Sequence, residues 1–257
     1  MFLGKLMPWN PEQYHKFQSE RSTPFYDLLK LVEVRPQIKV IDLGCGTGEL
    51  TRVLADALPN SDVTGLDSSH PMLEKAASYR NSNLRFEQGD LSGLTGTWDL
   101  IFSNAAIQWC EDHDKLIPYL FSKLNHDGQL CIQIPSNHNH ISHLLIRETA
   151  KEAAFNKILN GFERIPPVLS IDQYTKILFD QSAKNILVFE KIYPHVLENS
   201  DAVIEWISGT ALVPYFERLG EHKHEFLEML RKKMKKALPE SPLLYPFRRI
   251  LFSAMKS

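Results

Sequence analysis

Short apolar runs alternate with helix-spaced apolar positions between residues 38 and 135. Runs of this length, rich in β-branched residues, predict strands. They are Lys39–Leu43, Asp62–Leu66, Leu84–Glu87, Asp99–Ser103 and Gln129–Gln133. Helical patterns between them, such as Glu49–Leu58, predict βαβ crossovers. The alternation therefore predicts a parallel sheet with helices on both faces.

The rhythm changes after Pro135, where helical patterns outnumber strands. A turn is predicted at Asn125–Gly128 and a loop over Gly161–Pro167. Helices are predicted over His140–Phe155, Asp201–Gly209 and His222–Ala237, together with a helix that Ser170 caps and that ends at Asp180. Two further strands are predicted, Asn185–Tyr193 and Arg249–Met255. We predict an α/β fold, a Rossmann-like, mostly parallel seven-stranded sheet with a helical cap inserted in the C-terminal half. The predicted domains are a helical lid (1–35), a ligand-binding core (36–135), and the cap with the last two strands (136–257).

Composition excludes several classes of protein. The 257 residues carry a net charge of −2, which argues against a dedicated binder of nucleic acid or membrane surfaces. No apolar run reaches the roughly 20 residues of a membrane span, and the first residues lack the features of a signal peptide, so a cytoplasmic location is expected. Three widely spaced cysteines predict neither disulfides nor a zinc site, and His138, His140 and His143 lack a partner at ligand spacing, so no metal is expected.

A glycine-rich turn follows the first predicted strand. Gly44, Gly46 and Gly48 stand at alternate positions, which lets the backbone turn tightly and approach a ligand. Such turns usually bind phosphate at a helix N-terminus, but here Asp42 precedes the first glycine. A carboxylate at this place suits a cationic or amine-bearing ligand better than a pyrophosphate.

Two further acids follow the next two strands. Asp67 ends the second strand, where an acidic residue accepts hydrogen bonds from both hydroxyls of a ribose. Ser68 or Ser69 then caps the following helix. Asp90 follows the third strand and can accept from an adenine amino group. With Asp42, these acids are expected to line the edge where open α/β sheets bind ligands.

Over residues 40–134, the glycine motif and the two later acids resemble class I S-adenosylmethionine-dependent methyltransferases in order and spacing. The resemblance implies S-adenosylmethionine as cofactor, its methionine end at the Asp42 loop, its ribose at Asp67 and its adenine at Asp90 with Leu91. The cofactor-binding residues implied are Tyr14, Asp42, Gly44, Cys45, Gly46, Asp67, Ser68, Met72, Asp90, Leu91 and Asn104. The alternative is a Rossmann-like sheet that binds another nucleotide or none.

The corner after the fourth strand bears on the acceptor. Methyltransferases that act on planar amines often carry Asn-Pro-Pro-Tyr here, whereas this chain has Asn104-Ala105-Ala106-Ile107. An oxygen or carbon acceptor on a small molecule is therefore expected.

The whole chain resembles the trans-aconitate methyltransferase family more closely. The resemblance is carried by Trp9-Asn10-Pro11 with Tyr14 and Phe17, Glu20-Arg21-Ser22, Ser103–Trp109, Leu124-Asn125, His143–Glu148, Tyr193 with His195, Trp206, and Pro246–Arg249. It implies formation of a methyl ester on one carboxylate of a small polycarboxylic acid. No general base is needed, because a carboxylate with a pKa near 4 is already an anion at pH 7.

The resemblance also implies positioning residues. Gln108, Trp109 and Arg249 would place the acceptor beside the methyl group, with Tyr14 and Phe17 as a lid over the cofactor. The implied substrate-binding residues are Arg21, His143, Arg147, Tyr193, His195, Arg248 and Arg249. Arginine suits this task because its guanidinium forms two parallel bonds to a carboxylate. Arg249 is favoured, with Arg248 close behind, and a structural ion pair is the alternative for each.

Two other functions stay open at this point. A different acceptor on the same fold, such as a malonyl group on an acyl-carrier protein or a hydroxylated metabolite, is one. A non-catalytic cofactor-binding module acting through a partner is the other. We predict a monomer that binds a small-molecule carboxylate substrate and binds neither nucleic acid nor a membrane.

Overall fold

The computed structural model describes residues 18–257, and of residues 18–21 and 92 only the backbone. The strands are β1 (Lys39–Leu43), β2 (Asp62–Asp67), β3 (Leu84–Gln88), β4 (Trp98–Asn104), β5 (Leu124–Pro135), β6 (Lys184–Leu197) and β7 (Leu243–Met255). They form a seven-stranded sheet in the order β3-β2-β1-β4-β5-β7-β6. Strands β1 to β5 pair in parallel, and β7 is antiparallel to β5. The predicted sheet is confirmed.

Ten α-helices lie within the described part of the chain. They are α1 (Gln18–Leu29), α2 (Glu49–Ala57), α3 (His70–Ala76), α4 (His113–Ser122), α5 (Ile141–Ala150), α6 (Ala153–Ile158), α7 (Ile171–Asp180), α8 (Ser200–Ser208), α9 (Val213–Leu219) and α10 (Lys223–Ala237). The predicted Ser170 cap of α7 is confirmed, because Ser170 and Gln173 form a reciprocal capping box.

The two faces of the sheet pack against different helices. One face buries Val40, Phe102 and Leu251 in a core with helices α1, α2 and α3. The other buries Ile41 and Phe252 in a core with helices α4 and α7. Because neighbouring residues of a strand point to opposite faces, the continuous apolar runs of the central strands supply both cores.

Several predicted boundaries were wrong. The helix predicted over His140–Phe155 is two helices, because Glu152 has an extended ψ of 138° that interrupts the helical backbone. The segment Asn125–Gly128 lies within β5 as a bulge, with Asp127 at φ 58°, rather than in a turn before it. Strand β7 begins six residues before the predicted start at Arg249, and helix α9 was not predicted.

The chain forms two compact units. The sheet unit contains Arg21–Ser136, Pro166–Ile192 and Arg248–Ser257, and a second, mainly helical unit contains Asn137–Ile165 and Tyr193–Phe247. The helical unit has its own core, in which α5, α8 and α10 bury residues such as Ile146, Ile207 and Phe226. Within residues 18–257, none of the helices has the length and apolar character needed to cross a bilayer.

Candidate functional site

The glycine turn between β1 and α2 has the backbone that the sequence required. Gly44, Gly46 and Gly48 all have positive φ angles, of 75°, 56° and 79°. A Cβ on Gly44 would overlap the Cβ of Ala106, so only glycine lets this turn approach the corner after β4. A Cβ on Gly46 would meet no atom within 4 Å. The backbone at Gly46 therefore borders open space that a ligand can fill.

The carboxylate of Asp67 is held in place by two backbone amides. Its Oδ2 accepts from Gly46 N at 2.9 Å, and its Oδ1 accepts from Ser69 N at 2.8 Å. Ser69 is the N-cap of α3, but its hydroxyl makes no capping bond, contrary to the predicted serine cap. Each carboxylate oxygen keeps a further lone pair, so two more donors such as the hydroxyls of a ribose can still bind.

Asp42 is buried, and its environment disfavours the ionised form of its carboxyl group. Its Oδ2 accepts from Thr51 Oγ1 at 2.6 Å. Burial raises the pKa of Asp42 to about 7, against the effect of the Thr51 bond, and the charge of Asp67 raises it further. Among the charged groups that the structure describes, no cation pairs with Asp42 in an ion pair. A cationic ligand beside Asp42 would favour the charged form.

The thiol of Cys45 lies beside these two acids. Burial and the charges of Asp42 and Asp67 raise its pKa far above the ordinary range. The thiolate is the nucleophilic form of cysteine, so Cys45 is not a nucleophile here. The Cys45 side chain packs in the core, and its backbone forms part of the glycine turn.

Residues at the ends of β2 and β3 complete this side of the edge. Ser68 is exposed and Met72 is half-buried in the first turn of α3. Asp90 is exposed after β3, and Leu91 beside it is buried. The charge of Asp90 contributes, after burial, to raising the pKa of Cys110, which places Asp90 near the corner that follows β4.

The corner after β4 is a tight, locally bonded turn. Ala105 has a φ of 53°, and its carbonyl oxygen accepts from Gln108 Nε2 at 2.6 Å. Trp109 is 49 % exposed, so about half of its surface lies outside the core. Among the described residues, the buried Oδ1 of Asn104 has no hydrogen-bond partner. Such an atom is expected where a bound molecule supplies the donor.

A buried histidine that sequence reasoning missed supports this corner. The Nε2 of His113 contacts the carbonyl oxygen of Ile107 at 2.8 Å, and its Nδ1 contacts the hydroxyl of Tyr174 at 2.5 Å. Because a carbonyl only accepts, Nε2 is the donor, and Nδ1 of neutral His113 accepts a hydrogen bond from the tyrosine hydroxyl. The same hydroxyl accepts from Leu169 N at 3.2 Å. The signal missed was a polar residue at the buried start of α4.

The neighbouring arginines Arg248 and Arg249, on strand β7, have different environments. Arg249 is buried, with only 5 % of its surface exposed, and its Nη1 donates to Gln133 Oε1 at 3.2 Å. Arg248 is exposed and its Nη1 lies 2.8 Å from Glu190 Oε2 in an ion pair. Arg249 lies opposite Pro135, the last residue of β5, at the edge that also carries Asp42. The sequence did not indicate Gln133, which reads as an ordinary polar position of a strand.

Two of the predicted substrate residues, His143 and Arg147, interact with other residues of the helical unit. Burial lowers the pKa of His143 to about 3, with further effects from His140, His138 and Arg147, so His143 is neutral at pH 7. Arg147 already pairs with a carboxylate, because its Nε lies 3.3 Å from Glu163 Oε1. In this structure Arg147 is therefore a paired cation, and its role in substrate binding stays a prediction.

Tyr193 and His195 are buried in the same unit. The His195 ring lies 4.8 Å from the Trp206 ring, within a cluster that includes Tyr245 and Phe247. This cluster forms part of the core of the helical unit. Tyr14 and Phe17 lie outside the described residues, and so does the side chain of Arg21. Within the described residues, His, Cys, Asp and Glu form no group of three or more that could hold a metal ion.

Comparison with known proteins places this geometry in a family. Residues 35–205 match the family model described as a methyltransferase domain. A trans-aconitate 2-methyltransferase of Deinococcus radiodurans is 45 % identical over 97 % of this chain and 99 % of that protein. A trans-aconitate 2-methyltransferase of Variovorax paradoxus is 34 % identical over 98 % of this chain and 99 % of that protein.

Solved structures share the fold. The YcgJ protein of Bacillus subtilis is 15 % identical, with a TM-score of 0.60 over 91 % of this chain and 97 % of that one. Phosphoethanolamine N-methyltransferase 2 of Haemonchus contortus, solved with S-adenosyl-L-methionine, is 17 % identical, with a TM-score of 0.54 over 91 % of this chain and 52 % of that one. By its whole-length identity to the trans-aconitate 2-methyltransferases of Deinococcus radiodurans and Variovorax paradoxus, the chain belongs to the trans-aconitate 2-methyltransferase family of S-adenosylmethionine-dependent methyltransferases.

Proposed function

We propose that this chain transfers the methyl group of S-adenosylmethionine to one carboxylate of trans-aconitate and so forms a methyl ester. The observation that carries the proposal is the 45 % identity to a trans-aconitate 2-methyltransferase over nearly the whole length of both chains. The buried guanidinium of Arg249 at the carboxyl edge of the sheet supports an anionic acceptor.

The residues at the glycine turn fit the cofactor. Open space beside Gly46, the carboxylate of Asp67 and the unsatisfied Oδ1 of Asn104 suit a ligand with hydroxyl and amine donors. Asp67 would accept from the ribose, Asp42 would face the cationic methionine end, and Asp90 with Leu91 would hold the adenine. S-adenosylmethionine supplies a methyl group that its sulfonium activates toward nucleophiles.

The protein's own task is to place the acceptor and exclude water. The acceptor carboxylate is already ionised at neutral pH, so no side chain has to remove a proton. Alignment alone supplies roughly 7–11 kcal/mol of the barrier in well-oriented reactions. Gln108 and Trp109, on the turn that His113 supports, would wall the acceptor, and Arg249 would hold a carboxylate that is not methylated.

The first test measures transfer of a labelled methyl group from S-adenosylmethionine to each member of a panel of di- and tricarboxylic acids. The methyl ester is quantified as the labelled methanol that base hydrolysis releases. We expect ester formation on trans-aconitate far above citrate and succinate. Ester formation on a malonyl carrier protein, or O-methylation of a hydroxylated metabolite, would show that the enzyme is a methyltransferase with a different acceptor. Cofactor binding without transfer to any of these would contradict the proposal and favour a binding-only role.

The pKa of Asp42 predicts a pH dependence of cofactor binding. In the ligand-free protein, the carboxyl is protonated below about pH 7, and a cation prefers the ionised form. Binding therefore releases a proton at low pH, and the affinity rises with pH, by up to about tenfold per unit, until about pH 7. Titration calorimetry between about pH 5.5 and about pH 7.5, in buffers of different ionisation enthalpy, measures both effects.

The variant Asp42→Asn is the control for this titration. It has no carboxyl to ionise, so we expect a cofactor Kd that is nearly independent of pH over this range. If wild-type Kd is the same at both ends of the range, Asp42 does not face the cation.

A further inference from the structure

Strand β5 carries two buried glutamines on one face, Gln129 and Gln133, four residues apart. The side-chain amide of Gln129 is fully used. Its Oε1 accepts from Glu33 N at 2.9 Å, and its Nε2 donates to Leu31 O at 2.8 Å and to Ser253 Oγ at 3.1 Å. Gln129 therefore ties the strand to its neighbours and is a structural residue.

Gln133 is wholly buried but only half of its amide is used. Its Oε1 accepts from Arg249 Nη1 at 3.2 Å, whereas its Nε2 has no hydrogen-bond partner among the described residues. The orientation of this amide follows from chemistry, because a guanidinium only donates and must face the oxygen. The Nε2 donor therefore points away from the guanidinium, and leaving it unpaired costs free energy that a bound acceptor would recover.

The sheet register puts this donor between the cofactor residues and Arg249. Gln133 pairs with Asn104 of β4, and Asp42 of β1 pairs with Phe102, two residues before Asn104. Arg249 lies two residues from Leu251, the partner of Gln133 on β7. Four polar side chains thus share one face of four adjacent strands at the carboxyl edge, and Gln133 stands next to Arg249 in that row.

We propose that Gln133 and Arg249 form one carboxylate-binding pair for the acceptor. The carbonyl oxygen of Gln133 orients the guanidinium, and its Nε2 donates to a carboxylate oxygen that the same guanidinium binds. This inference rests on the proposed function and adds to it a specificity-determining residue. The ligand chemistry is a carboxylate that is retained as an anion, next to the one that is methylated.

The test compares Gln133→Glu with Gln129→Glu. Glutamate at 133 keeps an acceptor for Arg249 but replaces the donor by a repelling charge. We expect the KM for trans-aconitate to rise about 30-fold, the cofactor Kd to change less than about threefold, and Tm to stay at or above wild type. In the control, glutamate at 129 faces the Leu31 carbonyl, so Tm falls while KM stays within about twofold.

A second variant, Gln133→Met, covers the case in which the glutamate variant does not fold. Methionine has a similar volume but neither the Nε2 donor nor the oxygen that orients Arg249, so we expect KM to rise at least as much, with an unchanged cofactor Kd. A KM unchanged in a folded variant, with wild type active, would overturn the inference and leave the proposed function standing. A cofactor Kd raised as much as the KM would overturn it too, because the donor would then face the cofactor. Absence of ester from wild type on every acid would instead remove the proposed function, and this inference with it.

Discussion

Replacing Arg249 with alanine is expected to raise the KM for trans-aconitate about 100-fold, with less than about a threefold change in the cofactor Kd. A guanidinium binds a carboxylate through two parallel charged bonds, each worth about 1.5–3 kcal/mol, and about 1.4 kcal/mol corresponds to a factor of ten. Arg249 is buried beside Gln133, where water competes little for those bonds. Initial rates at saturating cofactor, together with calorimetric cofactor binding, measure the two constants separately.

The neighbouring arginine is the matched control. Arg248 is exposed and paired with Glu190, so Arg248→Ala is expected to leave KM within about threefold. Arg249→Lys keeps the charge but not the forked geometry, and an intermediate KM is expected. Because Arg249 is buried, the Tm of each variant has to be reported with its KM. Equal KM values for a folded Arg249→Ala variant and wild type would show that the arginine does not bind the acceptor.

Replacing Asp67 with asparagine is expected to weaken cofactor binding about 100-fold. Asp67 accepts from Gly46 N and Ser69 N, and both bonds fix the glycine turn against the start of α3. An asparagine has one acceptor oxygen, so one of these amides loses its partner, and the charged bonds expected to the ribose become neutral. Calorimetry with S-adenosylmethionine and with its demethylated product measures the loss.

The control for this variant lies on the same strand. Asp62, at the other end of β2, is exposed and pairs with Arg85, so Asp62→Asn is expected to leave the cofactor Kd unchanged. An unchanged Kd in Asp67→Asn, with the Tm of wild type, would remove Asp67 from the cofactor site. A Kd raised equally in both variants would indicate a general loss of stability rather than a lost contact.

The family resemblance ranked Arg249 only slightly above Arg248, and the two neighbours show why local sequence could not separate them further. Successive residues of a strand point to opposite faces, so one of Arg248 and Arg249 had to point inward. Which one does depends on the register of β7 against β5, where Arg249 lies opposite Pro135. That register is a contact between residues more than 100 positions apart, and no local pattern encodes it.

His143 and Arg147 illustrate the same limit for charge. As residue types, both can bind a carboxylate. Burial keeps His143 neutral at pH 7, and Arg147 forms an ion pair with Glu163. The protonation state and the free bonding capacity of a side chain depend on its surroundings, which the packing of distant segments creates.

The sequence by itself determined the parallel sheet, the glycine turn and the identity of the acids at the strand ends. These follow from local rules, because the periodicity sets the elements, and the carboxyl ends of consecutive parallel strands meet at one edge. The tertiary structure alone decided that Gln133 leaves a donor unpaired beside Arg249, that His113 supports the corner, and that burial raises the pKa of Asp42 to about 7. Each of these depends on burial and on partners from other strands and helices, which exist only once the chain has folded.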